Sequence, residues 1–247
     1  MITSLITVRS SSTRLPGKCF LPFGKGSVLE HIIQRSIHYD LDPIVCTTTE
    51  ASDDAIVDLA KRCNVKFFRG PTVNKLLRWS ECCDHFDLKS FHSVDADDPF
   101  FDGCEVKSSM KMLQEENLDM VCPTKSSSAG GASVGYSLTG DVVKRACKDL
   151  DRNTDTEMMW HYIEKIPGLK TKILPETRRN ISNMRLTLDY KEDYWLLESV
   201  RRMVGSLASR ENVDQLFLSN PDLYKINWFR NDEWKQGQKN NLFKQKD

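Results

Sequence analysis

The sequence predicts an α/β fold, a three-layer sandwich in which helices cover both faces of a mostly parallel mixed sheet. Short apolar runs alternate with amphipathic helical segments along most of the 247 residues, which is typical of parallel strands joined by helical crossovers. Polar residues follow several apolar runs directly, at the sheet edge where such folds bind ligands. With 39% hydrophobic residues, the chain can bury one core, so we expect residues 1–247 to form a single domain.

The first half of the chain supplies strands and helices in strict alternation. Apolar runs predict strands at residues 2–8, 44–48, 65–68 and 91–94. Apolar residues at helical spacing predict the intervening helices: Val28, Leu29, Ile32, Ile33 and Ile37, then Ala55, Ile56, Leu59 and Ala60, then residues 76–82. Each strand is therefore followed by a crossover, as a parallel sheet requires.

The second half continues the pattern around a Ser/Gly-rich loop at residues 126–135. We interpret this loop as a mobile active-site flap, with an ordinary surface loop as the alternative. The remaining predicted elements are strands at 118–122, 171–174 and 185–188, a short strand and helix near Asp141, and a helix with Tyr194, Leu197, Val200 and Val204 on one face. Residues 235–247 are expected to be a frayed tail.

Composition excludes several classes of function. Basic and acidic residues balance to a net charge of zero, so no overall positive field favours nucleic acid. The apolar stretches are short and interrupted by charge, so we expect neither a membrane span nor a secretion signal. The eight cysteines are scattered without a C-x-x-C pair, which indicates reduced thiols in a cytoplasmic protein.

The first candidate site is the loop after the first strand, Arg9-Ser10-Ser11-Ser12-Thr13-Arg14-Leu15-Pro16-Gly17-Lys18. Its small residues let backbone N–H groups approach phosphate oxygens, while Arg offers planar bidentate contacts and Lys a compact point charge. The loop has neither a Walker pattern nor a G-x-G-x-x-G pattern. Its composition therefore fits a triphosphate site and a solvated basic turn equally well.

The second candidate site is Asp95-Ala96-Asp97-Asp98-Pro99, directly after a predicted strand. Three carboxylates in four positions repel one another, and Mg²⁺ relieves this because it takes hard oxygen ligands and bridges phosphate oxygens. Asp189 also follows a predicted strand. Together these residues favour a magnesium site over the alternative, an acidic turn that caps the next helix.

The basic loop resembles the signature of the cytidylyltransferases, which include the spore-coat polysaccharide protein SpsF and the synthetases of CMP-linked 3-deoxy-octulosonate and acylneuraminates. The resemblance spans roughly residues 2–200 and implies a Rossmann-like, GT-A-like nucleotidyltransferase fold with a small dimerisation or lid excursion. The matching segments are Arg9-x-x-Ser12-x-Arg14-Leu15-Pro16-Gly17-Lys18, Thr47-Thr48 with Asp53-Asp54, Phe68-Arg69-Gly70 with Leu77-Arg78-Trp79, Asp97-Asp98-Pro99, and Arg185-Leu186-Thr187-Leu188-Asp189 with Glu192-Asp193.

The resemblance also implies roles for single residues. Arg14, Lys18, Asp97 and Asp189 are the implied catalytic residues, with Asp97 and Asp189 as the ligands of Mg²⁺. Alternatively, Thr47 and Thr48 are ordinary strand residues. Arg78 is alternatively a surface charge. The full set implied to contact the nucleotide is Val8, Arg9, Ser12, Arg14, Lys18, Thr47, Thr48, Arg78 and Asp95.

The acceptor side departs from the family pattern. Asp95 stands where relatives usually have a neutral residue. Three roles are open for it: an extra metal ligand, a substrate contact, or a group that supports the metal ligands. Relatives often carry a Glu-His pair where this chain has Glu157-Met158. The candidate substrate contacts are Asp95, Glu157, His161 and Arg185, and a surface pair of Glu157 with His161 is the alternative.

These features predict an enzyme in which an acceptor hydroxyl attacks the α-phosphorus of CTP and expels pyrophosphate. The resemblance implies a small acidic acceptor, a 2-keto-3-deoxy sugar acid or a nonulosonate, and a homodimer. We expect the dimer contacts near residues 155–190. Three alternatives stay open. They are a phosphonate or polyol acceptor, a metal-dependent glycosyltransferase that uses Asp95-x-Asp97, and a catalytically silent protein that binds a nucleotide or sugar.

Overall fold

The computed structural model describes residues 1–128, 130, 135–176 and 183–244, with side chains as far as residue 237. The strands are β1 (Ile2–Thr7), β2 (Pro22–Phe23), β3 (Gly26–Ser27), β4 (Leu41–Thr48), β5 (Lys66–Gly70), β6 (Ser90–Asp95), β7 (Met120–Cys122), β8 (Ser137–Thr139) and β9 (Thr171–Ile173). The α-helices are α1 (Val28–His38), α2 (Asp54–Arg62), α3 (Lys75–Phe86), α4 (Gly103–Glu115), α5 (Lys125–Ser128), α6 (Gly140–Cys147), α7 (Trp160–Ile163), α8 (Lys191–Val204), α9 (Arg210–Ser219) and α10 (Arg230–Lys244).

Seven strands form one sheet in the order β5-β4-β1-β6-β8-β7-β9. The central strand β1 pairs in parallel with β4 and β6, so that Thr7 lies opposite both Cys46 and Asp95. β8 runs antiparallel to β6 and β7, which makes the sheet mixed, as predicted. The carboxyl ends of β1, β4 and β6 meet at one edge, where open α/β sheets bind ligands.

Helices cover both faces of the sheet, and each face has its own apolar core. Ile6 of β1 packs with Leu29 of α1 and Leu197 of α8 on one face. Leu5 of β1 packs with Trp79 of α3 on the other. Consecutive residues of β1 thus point to opposite cores, as in a strand buried on both sides. This confirms the predicted three-layer sandwich.

Helix α1 begins where the sequence provides a capping box. Ser27 Oγ accepts from the Glu30 amide at 3.3 Å, and Glu30 Oε2 accepts from the Ser27 amide at 2.6 Å. The predicted apolar face is buried from Val28 to Ile33, but Ile37 is 44% exposed. At about 100° per residue Ile37 lies roughly 40° beyond Ile33 and farthest from Val28, so it stands at the exposed edge of the apolar face.

Residues 185–188 are not the strand that the sequence predicts. The Leu186 amide donates to the Gly130 carbonyl and the Leu188 amide donates to the Asp97 carbonyl, each at 2.7 Å. Two different loops therefore satisfy these amides, and the segment joins no ladder among the described strands. The path of the segment carries Asp189 to the carboxyl end of β6.

The two segments predicted to be irregular are partly helical. Helix α5 begins the loop that we interpret as a flap, while residues 129 and 131–134 of that loop lie outside the described part of the chain. The segment expected to fray is helical as far as Lys244. Within the described ranges, no helix has the length and apolar character needed to cross a membrane.

Candidate active site

A cavity of about 510 Å³ opens at the carboxyl ends of β1 and β6. Its walls come from the basic loop, the acidic segment after β6, the first turns of α3 and the residues before α7. Most of the predicted site residues meet in this lining: Val8, Arg9, Ser12, Arg14, Lys18, Arg78, Asp95, Asp97, Glu157 and Asp189. The cavity lies at the sheet edge that the topology predicts.

Lys18 joins the two acidic segments at the centre of the site. Its Nζ lies 2.7 Å from Asp97 Oδ2 and 3.1 Å from Asp189 Oδ1, and it donates to the Leu188 carbonyl at 2.8 Å. Burial opposes the charged form of Lys18, but the two carboxylates outweigh burial, so the pKa of Lys18 is raised. Lys18 is therefore a permanent cation that draws Asp97 and Asp189 together.

Asp189 is held by two arginines as well. Arg14 Nη2 donates to its Oδ1 at 2.6 Å, and Arg185 Nη2 donates to its Oδ2 at 3.4 Å. Burial raises the pKa of Asp189, but Lys18 and Arg14 more than compensate, and the net pKa is lowered. Asp189 is therefore an ionised carboxylate with each oxygen bonded.

Arg185, a predicted substrate contact, instead supports Asp189 from behind. Its side chain is fully buried and donates to both oxygens of Asp193, at 2.9 and 3.1 Å. Asp193 also accepts from the backbone amides of Asp189 and Tyr190, each at 2.9 Å. The buried ion pair of Arg185 with Asp193 thus fixes the backbone at Asp189, and Arg185 acts through Asp189.

The two adjacent carboxyls after β6 differ in environment. Burial raises the pKa of Asp97, Asp189 and Asp95 add to this, and Lys18 opposes it. Asp98 is only 3% exposed, and burial followed by the charge of Asp97 raises its pKa well above the ordinary value. Asp98 Oδ1 has no hydrogen-bond partner within the described ranges. Burial therefore disfavours the charged form of Asp98, whereas Asp97 has the ion pair with Lys18.

Asp53 fixes the basic loop from behind, a role that sequence reasoning missed. Its Oδ1 accepts from the Ser10 amide at 2.8 Å and from Ser10 Oγ at 2.6 Å. Its Oδ2 accepts from Thr47 Oγ1 at 3.1 Å and from Thr48 Oγ1 at 2.5 Å. The buried Thr47 and Thr48 were expected beside the nucleotide, but their hydroxyls orient Asp53 instead.

Sequence reasoning also missed Lys75, on the first turn of α3. Its Nζ lies 3.2 Å from Asp95 Oδ1 and 5.0 Å from the centre of the Trp79 ring. The charge of Lys75 is the main reason that the pKa of Glu157 is lowered, and Glu157 Oε2 lies 3.6 Å from Arg9 Nη2. Two cations and two carboxylates therefore share this end of the cavity. Lys75 begins α3, and no local signal in the sequence distinguishes it from a surface lysine.

Two further predicted residues have environments that the sequence does not reveal. Arg78 lines the cavity, but its Nη1 donates to the carbonyls of Pro71 and Thr72 at 2.7 and 3.2 Å, so it is not a surface charge. His161 lies outside the described cavity lining, and its Nε2 is 2.9 Å from Lys165 Nζ. Glu157 precedes α7 and His161 lies within it, so the helical spacing expected between them is not present.

Asp97 and Asp189 suit a magnesium ion by their chemistry. Their hard oxygens converge on one cation, the ammonium of Lys18. Within the described ranges, no group of three or more His, Cys, Asp or Glu side chains is arranged to hold a metal. Mg²⁺ commonly binds through one or two carboxylates together with water and substrate phosphates. The pair therefore fits a metal that arrives with a phosphate ligand.

The chain is similar in sequence and in fold to known cytidylyltransferases. A family model described as cytidylyltransferase matches residues 3–220. An uncharacterized protein of Methanocaldococcus jannaschii is 27% identical over 233 residues, which cover 92% of this chain and 94% of that protein. The spore coat polysaccharide biosynthesis protein SpsF of Bacillus subtilis is 26% identical over 246 residues, covering 90% of this chain and 95% of SpsF. The solved structure of a Leptospira borgpetersenii cytidylyltransferase aligns with a TM-score of 0.81 at 22% identity, over 90% of this chain and 96% of that one.

Proposed function

The chain belongs to the cytidylyltransferase family, and we propose that it uses Mg²⁺ to couple CTP to a sugar-like acid, a 2-keto-3-deoxy sugar acid or a nonulosonate. The products are a CMP-sugar and pyrophosphate. The observation that carries this proposal is the contact of Lys18 with both Asp97 and Asp189 beside the basic loop. Cations for phosphate and carboxylates for a metal thereby share one cavity.

The basic loop supports a triphosphate site. Arg14 and Lys18 both line the cavity, and Asp53 holds the loop through Ser10. Arg offers a planar fork to phosphate oxygens and Lys a point charge, so the two cations bind the chain of phosphates and stabilise charge on the leaving pyrophosphate. A loop that is positioned before the nucleotide arrives loses less entropy on binding.

The reaction requires positioning more than covalent catalysis. An acceptor oxygen forms a bond to the α-phosphorus, the bond from that phosphorus to the β-phosphate bridging oxygen breaks, and the hydroxyl proton passes to solvent. Mg²⁺ held by Asp97 and Asp189 supplies Lewis-acid polarisation and charge neutralisation at the phosphates. Arg185 and Asp193 keep Asp189 in place, and Arg14 and Lys18 orient the phosphates.

The charged end of the cavity suits a hydroxylated acidic acceptor. Arg9 and Lys75 offer donors, Asp95 and Glu157 offer acceptors, and all four line the cavity. Such a set can bond both a carboxylate and several hydroxyl groups. Asp95 pairs with Lys75 while Asp97 and Asp189 share Lys18, and this arrangement favours the pair Asp97 and Asp189 over the Asp95-x-Asp97 site of the glycosyltransferase alternative.

The test is pyrophosphate release from CTP with a panel of acceptors in the presence of Mg²⁺. The panel contains 2-keto-3-deoxy sugar acids, nonulosonates, phosphonates and polyols, with UTP, ATP and GTP as alternative nucleotides and EDTA as the metal control. We expect release with CTP and a sugar acid, and a CMP conjugate by mass spectrometry. A conjugate formed only with a phosphonate or a polyol would refute the acceptor class, and full activity in EDTA would refute the metal.

A further inference from the structure

Lys18 takes up the same carboxylate oxygens that a divalent cation needs. Its Nζ contacts Asp97 Oδ2 and Asp189 Oδ1, with only 15% of its side chain exposed. The third contact, to the Leu188 carbonyl, holds the ammonium in this position. An ammonium group and a metal ion cannot both contact these two oxygens at the same point, because two cations at such a short distance repel each other.

The cations around Asp189 strengthen the competition between Lys18 and a metal ion. Arg14 and Arg185 donate to Asp189 in addition to Lys18, so three cations already contact this carboxylate. A divalent ion that approached this site alone would meet their repulsion and would have to displace Lys18. Asp97, whose side chain is 28% exposed, is the more open of the two ligands.

A triphosphate removes this obstacle. Lys18 and Arg14 belong to the loop that lines the cavity, so phosphate oxygens there offer both side chains another anionic partner. When Lys18 turns to the phosphates it frees Asp97 Oδ2, and when Arg14 turns as well Asp189 Oδ1 is also freed. The phosphates also supply ligands that the two carboxylates lack.

We propose that Lys18 makes metal binding depend on the nucleotide: the ammonium excludes a divalent cation until a triphosphate draws it away. The nucleotide and the metal then bind with positive coupling, and each raises the affinity of the other. The device prevents a tightly bound metal from occupying the carboxylates before CTP. This inference rests on the metal pair of the proposed function, but its test measures ion binding and needs no acceptor.

The experiment titrates the full-length protein with Mn²⁺ in the absence of nucleotide and follows free Mn²⁺ by electron paramagnetic resonance. We expect weak binding by the parent and binding roughly tenfold tighter by Lys18→Met, a factor within the range of typical coupling energies. Lys18→Gln, which keeps a donor but no charge, should change in the same direction. Thermal melts confirm that each variant is folded before it is titrated.

The matched control is Lys75→Met. Lys75 is a second lysine of the same cavity with 12% of its side chain exposed, and it pairs with Asp95 at 3.2 Å, so this variant removes one positive charge without freeing Asp97 or Asp189. We expect Mn²⁺ affinity to change less than about threefold for this variant. Adding Asp97→Asn to Lys18→Met should abolish the gain, which would locate the ion at the proposed pair.

The outcomes separate this inference from the proposed function. If Lys18→Met binds Mn²⁺ no tighter than the parent, or if Lys75→Met gains as much, the competition is refuted. Tight binding of Mn²⁺ by the parent at an Asp97-dependent site would refute it as well. If Lys18→Met gains affinity while no acid yields a CMP conjugate, the competition stands and the proposed acceptor class fails.

Discussion

Substitution of Asp53 by asparagine should loosen the basic loop without touching the cavity. Asp53 accepts four hydrogen bonds, two from Ser10 and one each from Thr47 and Thr48. Asparagine keeps one acceptor oxygen and replaces the other with an NH₂ group, so the bonds on one side lose their acceptor and those on the other lose the charge. Hydrogen bonds to a charged group contribute about 1.5–3 kcal/mol.

The expected cost of Asp53→Asn is therefore about 1.5–3 kcal/mol in the free energy of unfolding, or roughly 3–12 °C in Tm for a chain of this size. The affinity for CTP should also fall, because Ser10 no longer holds the loop that carries Arg14 and Lys18. Differential scanning calorimetry measures the first effect, and isothermal titration with CTP measures the second.

The matched control is the neighbouring residue. Asp54 lies 2.7 Å from Arg69 Nη1, but 61% of its side chain is exposed, so Asp54→Asn should cost less than about 1 kcal/mol. Equal changes in Tm for the two variants, or a parental affinity for CTP in Asp53→Asn, would show that Asp53 does not position the loop.

The stability that Asp53 contributes should depend on pH. Burial raises the pKa of Asp53, but its hydrogen bonds with Ser10 and Thr48 outweigh burial and lower the pKa from the ordinary value of 3.8. A lowered pKa means that the stabilisation is complete above 3.8 and is lost as the pH falls through the folded-state pKa. The difference in Tm between the parent and Asp53→Asn should therefore stay constant near neutral pH and shrink in acid.

The remaining predictions concern the carboxylate pair and its supports. Asp97→Asn and Asp189→Asn should abolish pyrophosphate release while CTP still binds, because charge stabilisation matters most in the transition state; near-parental turnover at saturating Mg²⁺ contradicts this. Arg14→Lys should lower kcat/KM on the order of 10–100-fold through loss of the planar fork, and unchanged kinetics would make the loop a surface turn. Arg185→Leu should cost about 3–5 kcal/mol in urea denaturation because it strands a buried carboxylate, and a cost below that of an exposed pair would contradict the burial argument.

The sequence predicts the central sheet and the loops at its edge because both signals are local. Apolar runs mark the strands, and the ten residues from Arg9 to Lys18 already combine cations with small residues. The antiparallel β8 between β6 and β7 is not foreseeable from periodicity, since strand order depends on long-range pairing. Residues 185–188 have the composition of a strand, yet their partners are loops.

The contacts that complete the candidate site join residues far apart in the chain. Lys18 meets Asp189 across 171 positions, and Ser10 meets Asp53 across 43. The family resemblance grouped Lys18 with Asp189, whereas nothing local distinguishes Asp53 from a helix-start aspartate or Lys75 from a surface lysine. Burial created their roles, because a charge removed from water must find a partner. Composition alone carries no information about that partner.

One hydrogen bond of the 186–188 segment ties the backbone before Asp189 to the Ser/Gly-rich loop at Gly130. Gly130 has φ of 102°, a conformation open mainly to glycine, and its carbonyl receives the Leu186 amide. Because only three peptide units separate Leu186 from Asp189, we expect a shift of that carbonyl to move the Asp189 carboxylate as well.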